Sequence, residues 1–233
     1  MNPHCLCCDA VIVEEMTWRT LFFGAPEPRL CDSCRGRLAV ITDPLCRKCS
    51  RPLIELEEKY IHEDLCHDCF RWENDPKWAG VLKRNLSIYQ YNDFLKEMMA
   101  RYKYRGDYAL AKVFSEDIQS ALRKTSFDIA VPIPLSRERL LERGFNQAAG
   151  LGMEAGLDMF EALERIHGEK QSKKSREERI HLHQVFKVSA SVSEKNILLI
   201  DDIYTTGSTL HHAAHVLIKA GAKSVSSFTL ARG

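Results

Sequence analysis

The sequence predicts an α/β fold, a parallel sheet with helices on both faces, preceded by a small cysteine-rich module. Three observations carry this expectation. All nine cysteines lie within the first 69 of 233 residues. From about residue 80, short apolar runs alternate with stretches of helical periodicity, the pattern of a parallel sheet covered on both sides. Between the two regions stands Asp75-Pro76, and a residue before proline leaves the helical region. The expected division is residues 1–75 and 80–233.

The elements follow in order. Leu86 to Tyr91 reads as a strand. Asn92 or Asp93 caps a helix with Phe94, Leu95, Met98, Met99 and Tyr102 on one face, a stripe that suits a core better than a binding surface. Asp107 is placed to cap a further helix to about Leu122. Asp128 to Ile133 is a buried-type strand, and Asn196 to Ile200 a stronger one. A helix from about Ser208 to Ala220 follows, with Gly221 where a left-handed cap is wanted, and Lys223 to Leu230 is the last strand.

Composition narrows the function classes. With 45% hydrophobic and 28% charged residues and a net charge of +1, the chain reads as globular, and any basic patch has to be local. No uncharged apolar run reaches the roughly 18 residues of a membrane helix. The start, MNPHCLCCDA, lacks the basic and apolar regions of a secretory signal, so no membrane insertion and a cytoplasmic location are expected.

Eight of the cysteines form four CxxC pairs, Cys5/Cys8, Cys31/Cys34, Cys46/Cys49 and Cys66/Cys69. One tight turn aims both thiolates of a CxxC pair at the same tetrahedral ion, and in a reducing compartment such pairs read as metal ligands rather than disulfides. Eight thiolates suit two closed structural zinc sites, which would staple a segment with little core of its own. Sequential pairing is the simplest; an interleaved cross-brace fits the spacing as well. Cys7 is left over, and His4, His62 and His67 are alternative ligands. Trp18, Phe22, Phe23, Tyr60, Phe70 and Trp72 are the aromatic residues near the cysteines.

The most informative stretch is 198–209, LLIDDIYTTGST. A buried strand ends in two carboxylates, Asp201 and Asp202, and a short loop leads into a helix. Thr205, Thr206, Gly207, Ser208 and Thr209 then offer hydroxyls and backbone N–H groups where unpaired donors and the helix dipole favour an anion. Two carboxylates beside a phosphate suit ribose hydroxyls or a Mg²⁺ carried by the ligand. The carboxyl end of a parallel strand is where open α/β sheets bind ligands. The GxxxxGK[ST] pattern of a P-loop is absent.

LLIDDIYTTGST is similar to the phosphoribosylpyrophosphate (PRPP) signature of type I phosphoribosyltransferases. The order of a cysteine module, Lys103-Tyr-Arg-Gly-Asp107, VPIPLSRERLLERGFNQA at 131–148 and then this signature resembles the ComF/ComFC family of competence proteins over almost the whole chain. The resemblance implies a type I phosphoribosyltransferase-like sheet with a zinc-ribbon-like module. It implies that Asp201 and Asp202 hold the ribose hydroxyls and residues 205–209 the 5-phosphate. Pyrophosphate would sit at the loop of Pro132, Ile133, Pro134 and Leu135, with Arg137, Arg139 and Arg143 beside it as cations; Asn146 and Gln147 are either helix-start groups or ligand contacts. It implies Mg²⁺ with PRPP, and a role in DNA uptake during natural transformation. The acceptor of any phosphoribosyl transfer is not legible. The alternative is a noncatalytic adaptor that binds single-stranded DNA between a ComFA-like helicase and a DprA-like recombination mediator. A mobile basic loop is expected at Lys170 to Arg179. Near it the chain departs from the family pattern, with Gly168 where Thr and Leu182 where Asn is expected; these departures bear on catalysis and leave the 5-phosphate site untouched.

Overall fold

A computed structural model describes residues 3–12, 28–166 and 185–233. The expected Lys170–Arg179 loop, the Gly168 and Leu182 positions, and Trp18, Phe22 and Phe23 lie outside the described residues. In the cysteine-rich part, helix α1 (Asp32–Arg35) follows Cys31, and a short hairpin, β1 (Ile61–His62) and β2 (Leu65–Cys66), leads into α2 (His67–Asn74). Then come β3 (Asn85–Gln90), α3 (Asp93–Tyr104), a 3-10 stretch at Tyr108–Phe114, α4 (Ser115–Leu122), β4 (Ile129–Pro132), α5 (Arg137–Arg143) and α6 (Gln147–Glu154). An antiparallel pair, β5 (Leu163–Arg165) and β6 (Phe186–Val188), precedes β7 (Asn196–Tyr204), α7 (Ser208–Lys219) and β8 (Ser224–Arg232). No helix among the described residues is long and apolar enough to cross a membrane.

The sheet runs β3-β8-β7-β4, all parallel. Its centre explains the apolar run of β7: because side chains alternate along a strand, Leu198 and Ile200 pack into one core and Ile197 and Leu199 into the other. The first core is filled by Phe94, Leu95, Met98, Met99 and Tyr102 of α3, so the Met/aromatic stripe is core. The second is filled by Leu210, Ala213, Ala214 and Leu217 of α7. Asn92 caps α3, its side chain accepting from the N–H of Leu95 at 2.9 Å. Gly221 takes the left-handed conformation, φ 93°.

Two expectations change. Asp107 caps no helix; its carboxylate pairs with Arg101 at 2.7 Å, and the segment after it winds as a 3-10 stretch before α4. Strand β7 runs on to Tyr204, so Asp201 and Asp202 lie within the strand and the loop is only residues 205–207. As expected of a residue before proline, Asp75 leaves the helical region at the end of α2; Asp75 and Pro76 form an exposed turn, the Asp75 side chain accepting from the N–H of Lys77 at 2.9 Å, with Trp78 buried just beyond.

The cysteine-rich part shares both cores. Cys5, Ile12, Leu30, Cys34 and Leu38 belong to the α3 side, and Cys46, Cys49, Leu53, Leu65, Cys66 and Cys69 to the α7 side. Between these groups the chain crosses the free edge of β3, where Val40 bridges Tyr89 and the N–H of Ile41 donates to the carbonyl of Ile88 at 2.8 Å. An edge strand with unpaired donors and acceptors is a liability, and this crossing covers it.

Candidate functional site

Strand β4 pairs with β7 only as far as Pro132 opposite Ile200, while β8 continues beside β7 to Tyr204. The departure of β4 leaves the Asp201–Tyr204 edge open, and a hollow of about 200 Å³ fills the gap. Ile133, Pro134 and Leu135 line it from the loop after β4, Arg139 and Arg143 from α5, Asn146 and Gln147 from the start of α6, Lys103 from α3, Arg165 from β5, Asp201 and Asp202 from the end of β7, and Thr209 from the first turn of α7. A contiguous recess sharing Asp201 and Thr209 is lined by Thr205, Thr206, Gly207 and Ser208. Of the residues expected here, Pro132 stays buried within β4 and Arg137 stays exposed on α5; neither lines the hollow.

Four cations and two carboxylates face this space, which suits a polyanion with a hydroxyl-bearing centre. Lys103 Nζ forms an ion pair with Asp202, both side chains well shielded. Arg143 donates to Gln147 Oε1 at 2.8 Å, and its Nε is buried with no partner among the described residues; an orphan buried donor beside a polar hollow fits an anion. Burial and the charge of Arg139 hold the Arg165 guanidinium below its ordinary pKa. Burial first, and the charge of Asp202 second, push the Asp201 carboxyl up to about 8. Asn146 serves two purposes: its side chain caps α6, accepting from Ala148 at 2.9 Å, and donates to the carbonyl of Ile133 at 3.0 Å, tying the loop after β4 to the helix behind it.

The 205–209 loop turns at Gly207, φ 81°. A side chain there would meet the hydroxyl and ring of Tyr204, so glycine is required both by conformation and by space. Three carbonyls, one at the end of β7 and two in the loop, are held from behind. Tyr204 O accepts from Arg232 Nη1 at 3.1 Å, Thr206 O from Trp72 Nε1 at 2.9 Å, and Gly207 O from His211 Nδ1 at 2.9 Å. The carbonyl and the N–H of a trans peptide point in opposite directions, so anchoring these oxygens turns the N–H groups of Thr205, Gly207 and Ser208 the other way. His211 is held neutral for this: burial pulls its pKa down to about 4, and Lys48 and His212 act in the same sense against the Gly207 carbonyl and Glu73.

The cysteines gather as two quartets, Cys5/Cys8/Cys31/Cys34 and Cys46/Cys49/Cys66/Cys69, with the ligand atoms of each within 4.8 Å of one another. The pairing is sequential. Four thiols at this spacing fit a tetrahedral zinc ion. Without a cation they resist ionising together: hydrogen bonds within the second quartet pull Cys46 down and push Cys49 and Cys69 up. Cys7 stands outside, its carbonyl accepting from Arg101 at 2.6 Å, and His62 and His67 bond to each other at 3.0 Å rather than joining a quartet.

Sequence reasoning missed Arg165, Trp72, His211 and Arg232. The Arg165 signal was present as the start of a basic run; the other three belong to the back of the loop and had no local signal. A larger hollow, about 650 Å³, opens beside the loop and shares only Thr206 with it; Asp68, Phe70, Arg71, Trp72, Asp75 and Trp78 line it.

Residues 143–233 match the phosphoribosyl transferase domain family and residues 1–70 the double zinc ribbon domain family. A protein of Salmonella typhimurium named DNA utilization protein YhgH is 26% identical, covering 88% of this chain and 97% of its own. Competence protein ComFC of Streptococcus pneumoniae is 35% identical, covering 98% of this chain and 99% of its own. Competence protein ComFC of Bacillus subtilis is 42% identical, covering 98% of this chain and 94% of its own. With a phosphoribosyltransferase-type parallel sheet, a double zinc ribbon and this identity along nearly its whole length, the chain belongs to the ComFC family.

Proposed function

We propose that this protein binds PRPP with Mg²⁺ at the open edge of β7 and acts in the cytoplasm in DNA uptake, as the competence names of its relatives suggest. The observation that carries this is the meeting of Asp201 and Asp202 with the 205–209 donors and with Lys103, Arg139, Arg143 and Arg165 around one continuous space. The carboxylates accept from the ribose hydroxyls, the loop N–H and hydroxyl groups hold the 5-phosphate, and the arginines take the diphosphate, a task suited to bidentate guanidinium contacts. Lys103 leaves Asp202 for a phosphate oxygen as the ribose arrives. Bound with the diphosphate, Mg²⁺ supplies Lewis-acid stabilisation of the departing charge. In a transfer reaction the bond from C1 to pyrophosphate breaks, its electron pair leaving with pyrophosphate, and a nucleophile bonds to C1. The fixed negative field of Asp201 and Asp202 favours the cationic ring between these events.

The test is calorimetric titration of Mg-PRPP into the wild type and into Asp201→Asn/Asp202→Asn. Binding is expected in the first and a loss of at least about 100-fold in the second, since two charge-assisted contacts are removed. Equal affinity in both would remove the carboxylates from the ribose.

A second reading is a noncatalytic single-strand-binding adaptor with a helicase and a recombination mediator as partners; the hollow beside the loop offers it aromatic surface from Phe70 and Trp72, with one cation, Arg71, set against the carboxylates of Asp68 and Asp75. Oligonucleotide binding that weakens steeply with salt, in a chain that releases no pyrophosphate with any nucleobase or amine, selects it. Turnover with one acceptor selects the transferase.

A further inference from the structure

The second cysteine quartet reaches the phosphate loop by two separate arms. The first runs through α2. Cys66 stands directly before this helix and Cys69 lies in it; Trp72 and Glu73, three and four residues further, share the face of Cys69. Trp72 stacks on His211, ring centroids 4.1 Å apart and planes within 9°, while its Nε1 donates to Thr206 O. Glu73 pairs at 3.0 Å with Lys48, which stands inside the Cys46–Cys49 turn, so the two halves of the quartet grip the same helix. The second arm is Arg232, at the end of β8. Its Nε donates to Cys49 Sγ at 3.3 Å and its Nη1 to Tyr204 O. The arms therefore hold the Tyr204 and Thr206 carbonyls, the same contacts that turn the Thr205 and Gly207 N–H groups away from α2 and β8.

We propose that Trp72 and Arg232 are positioning residues that make the second quartet a structural part of the phosphate loop, so that metal occupancy of Cys46/Cys49/Cys66/Cys69 and binding of a phosphate-bearing ligand at residues 205–209 are thermodynamically coupled. This rests on the phosphoribosyl reading above and goes beyond it: the zinc module is neither an appended domain nor a remote staple, but the back wall of the ligand site. Coupling of this kind is reciprocal. If metal raises ligand affinity by some factor, ligand raises metal affinity by the same factor.

Trp72→Phe keeps a six-membered aromatic ring against His211 and removes the pyrrole half of the indole with its N–H. In the full zinc-loaded chain it is expected to weaken Mg-PRPP binding about 5- to 10-fold, the worth of one hydrogen bond that positions a ligand donor, with zinc content and melting midpoint close to wild type. Arg232→Lys keeps the charge but cannot span Cys49 and Tyr204 together, and is expected to act in the same direction. One measurement needs no substitution: equilibrium competition of the wild type against a chromophoric zinc chelator. With saturating Mg-PRPP, the chelator concentration that strips one of the two zincs is expected to rise, and the other zinc to be unaffected. Wild type that binds Mg-PRPP, with Trp72→Phe and Arg232→Lys within twofold of it and chelator competition unmoved by ligand, overturns the coupling while leaving the phosphoribosyl reading intact. Wild type that binds no Mg-PRPP overturns both.

Discussion

Asp201 concentrates the electrostatics of the site in one side chain. Its carboxyl, with an ordinary value of 3.8, is pushed up to about 8 by burial and then by Asp202, so near neutral pH the ligand-free pair holds a proton. On the proposed phosphoribosyl reading, ribose hydroxyls that donate, or a cation, need the carboxylate, so the proton would leave as ligand binds. Affinity for Mg-PRPP is then expected to rise about tenfold per pH unit toward 8 and to level off above it; titrations at pH 6, 7, 8 and 9 check this, and a flat profile from 6 to 8 would refute it. Stability of the empty protein runs the opposite way. The folded chain holds this proton more tightly than the unfolded one, so the contribution is complete below about pH 4 and is lost as pH rises through about 8. Both acids stand out in the sequence because two adjacent carboxylates directly after a buried apolar run have little structural use. The upward shift of Asp201 was not legible there: it arises from burial and from the charge of Asp202, and the Lys103 partner of Asp202 comes from a helix about a hundred residues earlier in the chain.

At the scale of the element, the connection from β7 to α7 is the best-determined part of the molecule. Its composition announced an anion loop at a helix start, and Gly207 shows why the sequence has no freedom there. Gly207→Ala would force a side chain into the left-handed region and onto Tyr204. The expected cost is about 1–3 kcal/mol of stability, read from chemical denaturation, together with loss of Mg-PRPP binding as the peptide planes on either side rotate. Wild-type stability and affinity in this variant would mean that the loop tolerates another backbone path. Its boundaries were less legible. The strand outlasted the apolar run by four residues, through Tyr204, because pairing with β8 continues to Arg232, and polar residues are held in a strand when a neighbouring strand supplies the hydrogen bonds.

For the whole molecule, the informative feature is the way the double ribbon embraces the sheet. One quartet joins the core on each side, and the segment between them seals the β3 edge. Metal analysis is expected to give about two zinc ions per chain. Because the ribbons share both cores, chelation is expected to lower the midpoint of a single unfolding transition rather than to melt a separate module. Calorimetry showing two independent transitions, or a chain without zinc that melts unchanged, would contradict this. The change in composition near residue 75 marked where the cysteine-rich segment ends in the sequence, not where packing ends.

The sequence by itself determined what local order encodes: the CxxC knuckles, the parallel α/β pattern, and the adjacency of Asp201-Asp202 to a Thr/Ser/Gly turn that opens a helix. Each depends on residues within a few positions of one another, so spacing alone expresses it. The tertiary structure decided which cysteines meet, that Arg137 stays outside the hollow while Arg165 lines it, and that Trp72, His211 and Arg232 support the loop from behind. Those contacts join residues far apart in the chain and owe their energy to burial and to hydrogen bonds that exist only once the sheet, α7 and the second ribbon have packed together.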